Sequence, residues 1–419
     1  MLPAARIEAV IELMAEIAAS DRPAEALVSA YFRNRRFIGS KDRAAINTRA
    51  YRVIRTYHRL GWHIARAGAE VNPRNLVIAD LMFEREHSPA SMELLFSGER
   101  FAPEPLSEGE RKLVRALDRQ NLLHPHLPLR EKTECPDWAF ERLQRSFGAA
   151  YEAEMTALHA PPGAVDVRVN TIKATRDNAL AKLKKDGFAA EAGKLSPVAI
   201  RVEGRPQLSQ HEFYKDGTIE FQDEGSQMIA VFADARPGTQ VADYCAGAGG
   251  KTLALAAAMN NKGRIVALDV LADRLEKAKL RFRRADVHNI ETHALGEAGD
   301  KWPKRHKNYF DLVLVDAPCT GSGTWRREPD RRWRQLGPKL EELLRMQRDV
   351  LEGAQRLVKP GGRLVYATCS LLNDENEDQV AAFVAAHPEF SVSGDFLKLT
   401  PLQHGTDGFF AAALVKTAS

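Results

Sequence analysis

Cysteine is scarce: Cys135, Cys245, Cys319 and Cys369 are the four in 419 residues, and no Cys-x-x-Cys pair occurs. That spacing argues against a thiol zinc site and a disulfide framework, so no metal is expected and the four remain thiols in a reducing compartment. A run of about 18 apolar residues, enough to cross a bilayer, is also missing. The opening MLPAARIEAVIELMAEI is interrupted by Arg6, Glu8, Glu12 and Glu16, so it lacks the basic start and apolar core of a secretion signal. These absences predict a cytosolic protein with no membrane contact. No internal repeat or low-complexity tract is visible. The net charge of +4 permits a nucleic-acid partner without demanding one.

The length predicts two or three domains, each with its own core. Residues 1–130 read as helical, because Ile7, Val10, Ile11, Met14 and Ile17 recur at helical spacing, as do Ala44, Ile46, Ala50, Val53 and Ile54. Between Arg33 and Arg59 nine basic residues (Arg33, Arg35, Arg36, Lys41, Arg43, Arg49, Arg52, Arg55 and Arg59) stand against one acid, Asp42. A solvated helix face is the default reading of such a run; a phosphate-binding surface is favoured only if the rest of the chain acts on nucleic acid. Residues 131–235 mix strand-like VDVRVN and VAIRVEG with a helix-like DNALAKLKKDGF, a small α+β module. From 236 to 419 strands and helices alternate as a doubly wound α/β sheet requires.

VADYCAGAGGKTLALAAAM (241–259) is a short strand, a glycine-rich turn and an alanine-rich helix. Gly247, Gly249 and Gly250 allow close backbone approach, and the helix start offers free N–H groups. RIVALDV then ends near Asp269, whose carboxylate can accept from ribose hydroxyls. A turn of this kind also serves nicotinamide enzymes or merely bends the chain. It is neither Gly-x-Gly-x-x-Gly nor a Walker loop, so a nucleoside without phosphates fits better.

FDLVLVDAPCTGSGT (310–324) carries an apolar strand into Asp316, Pro318 and Cys319, and GRLVYATCS (362–370) delivers Cys369 to the same sheet edge. Ligands bind at that edge in open α/β sheets. Free cysteine is usually a small buried apolar group, which is the reading taken for Cys135 and favoured for Cys245. Cys319 and Cys369 lie beside polar or glycine neighbours, where a reactive thiol belongs.

These residues carry a resemblance. DAPCTGSGT, YATCS, FQDEGSQ (221–227), RREPDRRW (326–333) and DGFFAAAL (407–414) resemble the motifs of the RsmB/Nop/Sun family of RNA 5-methylcytosine methyltransferases. RVNT (168–171) is similar to the start of that family's small α+β RNA-recognition-like module, and KDRAAINTRAYRVIR (41–55) resembles a NusB-like helical domain. The resemblance implies a Rossmann-like class I methyltransferase domain, S-adenosylmethionine as cofactor, and RNA, most simply ribosomal RNA, as partner. A monomer suffices for it.

It further implies a cofactor site at Cys245, Ala246, Gly247, Ala248, Gly249, Gly250, Lys251, Asp269 and Asp316. Another carboxylate near the adenine falls on Glu297, with Asp300 as the alternative. Ala248 stands where the family has proline. Cys369 is implied as the nucleophile that adds to carbon-6 of cytosine and Cys319 as the base or release group, with Asp316 on the base's polar edge and Lys251 assisting. A lowered Cys369 pKa is expected from a helix start at Asn373–Glu377 or from nearby cations. Arg326, Arg327, Arg331, Arg332 and Arg334 around Trp325 and Trp333 are expected to hold RNA phosphates and bases. The basic run Arg274, Lys277, Lys279, Arg281, Arg283 and Arg284 reads as a solvated helix face. Rival readings are a tRNA or DNA cytosine methyltransferase, a catalytically silent ribosome-assembly factor, and a nicotinamide oxidoreductase.

Overall fold

The computed structural model describes residues 1–84, 87–204, 206–296 and 301–418. They form two compact units, Met1–Ala160 with Trp325–Pro338, and Pro161–Thr324 with Lys339–Ser419.

The first unit is helical, as the periodicity predicts. Helices Pro3–Ala18 and Ser40–Arg55 turn Val10, Leu13, Met14, Ile17, Ile46, Ala50, Val53 and Ile54 into one core with Pro73–Phe83. Helical structure continues beyond residue 130 through Asp137–Phe147 and Tyr151–His159, because Ala139, Leu143, Tyr151, Met155 and Leu158 also form a buried face.

Residues 325–338, inserted in sequence between two parts of the second unit, belong to this helical one. Trp333 stacks on Tyr57 at 4.2 Å with planes 3° apart, and its indole N–H donates to the Ile54 carbonyl. Asp330 accepts from the Ala24 N–H at the start of helix Ala24–Asn34 and from Arg334. Trp325 is fully buried against Trp138. The expectation that this arginine and tryptophan cluster forms an open RNA surface is therefore corrected. Arg326 and Arg332 are buried, and burial brings the Arg332 guanidinium down to about 10.

The long basic run is likewise largely consumed inside the unit. Arg49 and Arg52 pair with Asp80 and Glu84, Arg59 with Glu134, and Arg35 with Glu12 and Glu16. Arg55 donates to the carbonyls of His159 and Arg326. Arg33, Arg36 and Lys41 stay exposed.

The second unit begins with a four-stranded antiparallel sheet. Its strands are β1 (Ala164–Val169), β2 (Ala190–Ala192), β3 (Ala199–Glu203) and β4 (Ile219–Phe221), ordered β2-β3-β1-β4. Val167, Val169, Ile200, Val202 and Ile219 pack against Ala179 and Leu183 of helix Arg176–Lys185. The polar residues of RVNT face inward: Arg168 donates to the carbonyl of Gly250, and Asn170 to those of Gly217 and Ala285. The motif thus anchors the module to the sheet domain beside it.

That domain is the doubly wound sheet expected. It contains β5 (Gln240–Asp243), β6 (Arg264–Asp269), β7 (Ile290–Ala294), β8 (Phe310–Asp316), β9 (Val358–Thr368), β10 (Phe390–Val392), β11 (Leu397–Leu399) and β12 (Phe409–Lys416). The order is β10-β12-β9-β8-β5-β6-β7, with β11 paired to β12. Strands β5 to β9 run parallel and β12 antiparallel to β9. Leu312 to Val315 of β8 are buried on both faces, as a central parallel strand requires. The order reverses between β5 and β8, so the carboxyl ends of these strands open a crevice. Asp243, Asp269, Asp316 and Cys369 all lie at or just past those ends.

Candidate active site

The glycine turn is built from both local and tertiary demands. Gly247 and Gly249 have φ of 55° and 78°, a region that side chains other than glycine rarely adopt. A Cβ on Gly249 would sit 2.4 Å from the Phe282 ring, so this glycine serves packing, whereas one on Gly247 would meet only the Arg274 guanidinium at 3.5 Å. A Cβ on Gly250 would meet only the Gln222 amide at 3.8 Å, so Gly247 and Gly250 leave space at the turn that Gly249 does not. Arg281 clasps the turn by donating to the Ala248 carbonyl at 2.6 Å, and Arg281 and Arg284 both pair with Glu220. Part of the helix face read as solvated therefore braces the loop.

Asp269 is 5 % exposed; its Oδ2 accepts from the Gly247 N–H and its Oδ1 from the Leu271 N–H, each at 2.8 Å. Each oxygen keeps a lone pair for a further donor. At the end of β5, Asp243 accepts from Thr252 through Oδ2, while its buried Oδ1 has no hydrogen-bond partner. An open glycine turn at a helix start, a neighbouring carboxylate with spare acceptor capacity and an unpartnered buried oxygen fit a nucleoside cofactor that carries an ammonium group. Cys245 belongs to the same loop, and burial pushes its thiol well up. Glu297 and its alternative Asp300 lie outside the described residues.

Across the crevice, β8 and β9 are adjacent, with Asp316 level with Ala367. This register carries Cys319 and Cys369, fifty residues apart, to an Sγ–Sγ distance of 3.4 Å, both half-buried. The Cys319 thiol is held well above its usual range by its hydrogen bond to Cys369, by burial and by the Glu375 charge. Lys251 reaches across from the cofactor helix Gly250–Ala258 and donates to Asp316 Oδ2 at 2.7 Å. Burial disfavours the Lys251 charge, but Asp316 and Cys369 outweigh it and the ammonium is held above its ordinary value. Cys135, by contrast, is fully buried in the helical unit.

Sequence reasoning missed the residues that lock the two cysteine loops. Ser322 and Ser370 share a hydrogen bond at 3.1 Å, Leu371 N–H donates to Ser322, and Gly323 N–H donates to the Cys369 carbonyl. Gly323 also lies so close to Gly408 that a Cβ would stand 2.2 Å from the Gly408 carbonyl oxygen. A Cβ on Gly408, the glycine of DGFFAAAL, would in turn stand 2.6 Å from the Leu371 side chain and 2.8 Å from the Gly323 Cα. Glu375 bonds both loops at once. Its segment is not the continuous helix start expected after Cys369: Asn373–Glu375 is one 3-10 turn, and the helix begins at Glu377. FQDEGSQ is also scaffold, with Asp223 accepting from Gly225 and Asp407 N–H groups and Glu224 from those of Leu195 and Ser196. Among the described residues, donor atoms of Asp186, His211 and Glu212 come within metal-ligand reach of one another, but Lys182 pairs with both acids.

Known proteins resemble this chain over most of its length. Residues 230–415 match the family model "16S rRNA methyltransferase RsmB/F", and residues 135–209 match that family's ferredoxin-like domain. Ribosomal RNA small subunit methyltransferase B of Erwinia tasmaniensis is 30 % identical over 397 residues, 90 % of this chain and 92 % of that one. The crystal structure of a methyltransferase homologue from Pyrococcus horikoshii superposes with a TM-score of 0.60 at 26 % identity, covering 69 % of this chain and 97 % of that one. NSun6 from the same organism, crystallised with SFG, shares the fold at 22 % identity and a TM-score of 0.60, covering 68 % of this chain and 99 % of that one. No helix among the described residues is long and apolar enough to cross a membrane. With its sheet order, its glycine turn, its two adjoining thiols and these matches, the chain belongs to the RsmB/F family of S-adenosylmethionine-dependent RNA methyltransferases.

Proposed function

We propose that this protein methylates carbon-5 of a cytosine in ribosomal RNA through a covalent adduct with Cys369. The observation that carries the reading is the pair of thiols 3.4 Å apart beside the Lys251–Asp316 ion pair. The names of the curated relatives support ribosomal RNA as the substrate class.

Carbon-5 of cytosine is a weak nucleophile. Addition of the Cys369 thiolate to carbon-6 turns the ring into an enamine whose electron pair is directed to carbon-5. Asp316 accepts from the polar edge of the base, and Lys251 fixes that carboxylate in place. Residues 245–250 with Asp269 would hold S-adenosylmethionine, which when bound would supply an electrophilic methyl group. With the Cys369 sulfur bound to carbon-6, Cys319 gives its proton to solvent; the resulting thiolate then takes the proton from carbon-5, and the electron pair left behind restores the ring double bond and expels Cys369 as thiolate. The proton is then back on Cys319 and the thiolate back on Cys369. The target base reaches the half-buried thiols only from an unpaired or flipped-out position.

The decisive test is Cys319→Ala. It should accumulate a denaturant-resistant protein–RNA adduct that disappears in the Cys319→Ala/Cys369→Ala double variant. Methyl transfer from labelled cofactor to ribosomal RNA, transfer RNA and DNA, run side by side, checks the substrate class. Normal turnover by Cys319→Ala, or methylation by a Cys369→Ala variant, would overturn the assignment of roles.

A further inference from the structure

Glu375 is fully buried, and each of its carboxylate oxygens accepts two hydrogen bonds. Oε1 takes the Thr320 N–H at 2.9 Å and the Gln347 amide at 3.0 Å, and Oε2 takes the Thr320 hydroxyl at 2.5 Å and the Ser370 hydroxyl. Thr320 follows Cys319, and Ser370 follows Cys369. Gln347 also donates to the carbonyl of Pro318, on the other side of Cys319. One carboxylate thus holds the residue next to each thiol, across β8, β9 and helix Leu340–Gln355. Four donors converging on two oxygens are what an ionised carboxylate needs in a buried place.

We propose that Glu375 is a positioning residue of the two-cysteine site: it sets the spacing of Cys319 and Cys369, and its negative charge keeps their shared proton on Cys319, leaving the thiolate on Cys369. The inference rests on the cysteine chemistry proposed above and adds a cause for the division of labour. Two neighbouring thiols titrate as a pair, so a fixed charge nearer one of them decides which loses its proton first. Three of the four donors to Glu375, the Thr320 N–H, the Thr320 hydroxyl and the Gln347 amide that also bonds Pro318, flank Cys319, which places the charge on that side; the Cys319 thiol is raised by the hydrogen bond it shares with Cys369, by burial and by the charges of Cys369 and Glu375. The positive charge of Lys251, paired with Asp316, interacts favourably with a thiolate on Cys369. The other titratable groups around the pair are Asp316, Asp243, Cys245 and Tyr366. Burial raises the Glu375 carboxyl, and the hydrogen bonds from Ser370, Thr320 and Gln347 oppose that rise.

The test is site-resolved thiol alkylation of the full chain without RNA, followed by mass spectrometry across a pH series. The parent should alkylate Cys369 well before Cys319. Glu375→Gln keeps the bonding, because its carbonyl can face Thr320 N–H and Gln347 while its amide donates to the two hydroxyls. It removes only the charge. The Cys369-to-Cys319 rate ratio should fall about tenfold, the equivalent of one pKa unit. The kcat should fall while the KM values for RNA and S-adenosylmethionine hold, and the pH–kcat profile should shift. An unchanged rate ratio and pH profile in a variant with parental melting temperature would overturn the proposal. Should Glu375→Gln fail to fold, Thr320→Ala, which keeps the charge and removes one tie, must retain the alkylation preference; losing it would equally sink the idea. The two readings fail separately. Absence of methylation with the preference intact counts against the proposed function, and Cys369-dependent methylation with an unaltered preference in Glu375→Gln counts against the role of Glu375.

Discussion

Asp243 shows how one buried side chain makes stability depend on pH. Burial lifts its carboxyl to about 7 against an ordinary 3.8, so the folded chain binds a proton that the unfolded chain has already released between those values. Its contribution to stability is present below pH 3.8, declines as pH rises toward 7 and is gone above. Asp243→Asn keeps an acceptor for Thr252 and places its amide where Oδ1 is unpartnered. Its melting temperature should fall less than the parent's between about pH 5 and pH 8, which differential scanning calorimetry would show; parallel pH curves would refute the account. At this scale the candidate cysteines, Asp269 and Asp316 were legible, because each follows an apolar run at a sheet edge. Asp243 and Glu375 were not. In NDENED one acid looks like another, and only folding shows that this one points inward.

The glycine turn was legible as an element, though the tasks of its glycines were not. Gly249 lies against Phe282, a residue thirty-three positions later whose ring occupies the space a Cβ would need. Gly249→Ala therefore combines left-handed backbone strain with overpacking and should cost about 2–4 kcal/mol. In the Phe282→Ala background the same change should cost less, since the backbone strain and a tight contact with the Ala278 Cβ at 3.1 Å remain but the ring is gone. A double-mutant cycle in urea measures the difference, and strict additivity would show that packing on Phe282 does not matter. Helix Ala272–Arg284 carries a similar lesson, because its charge run looked uniformly solvated. Tertiary placement of Glu220 and the Ala248 carbonyl gives Arg281 and Arg284 internal partners.

In the whole molecule, the most consequential departure is the segment 325–338. Its arginines and tryptophans have the composition of an RNA-binding loop, yet they complete the helical unit. Trp333→Ala removes a stacked, half-buried indole and should destabilise that unit by about 2–3 kcal/mol. Amide exchange should accelerate in helix Ser40–Arg55 while β8 and β9 keep their protection; unchanged exchange in that helix would contradict the packing role.

The sequence alone determined the periodic elements, the parallel sheet, the glycine turn and the two cysteine strands, since each depends on short-range patterns of polarity and backbone freedom. Tertiary structure decided which charges are spent on internal partners, which glycines leave the turn open and which makes room for a neighbouring ring, and how close the two thiols come. Those outcomes depend on residues brought together from tens to hundreds of positions apart. Local patterning marks a side chain as polar or apolar but does not say what it will meet.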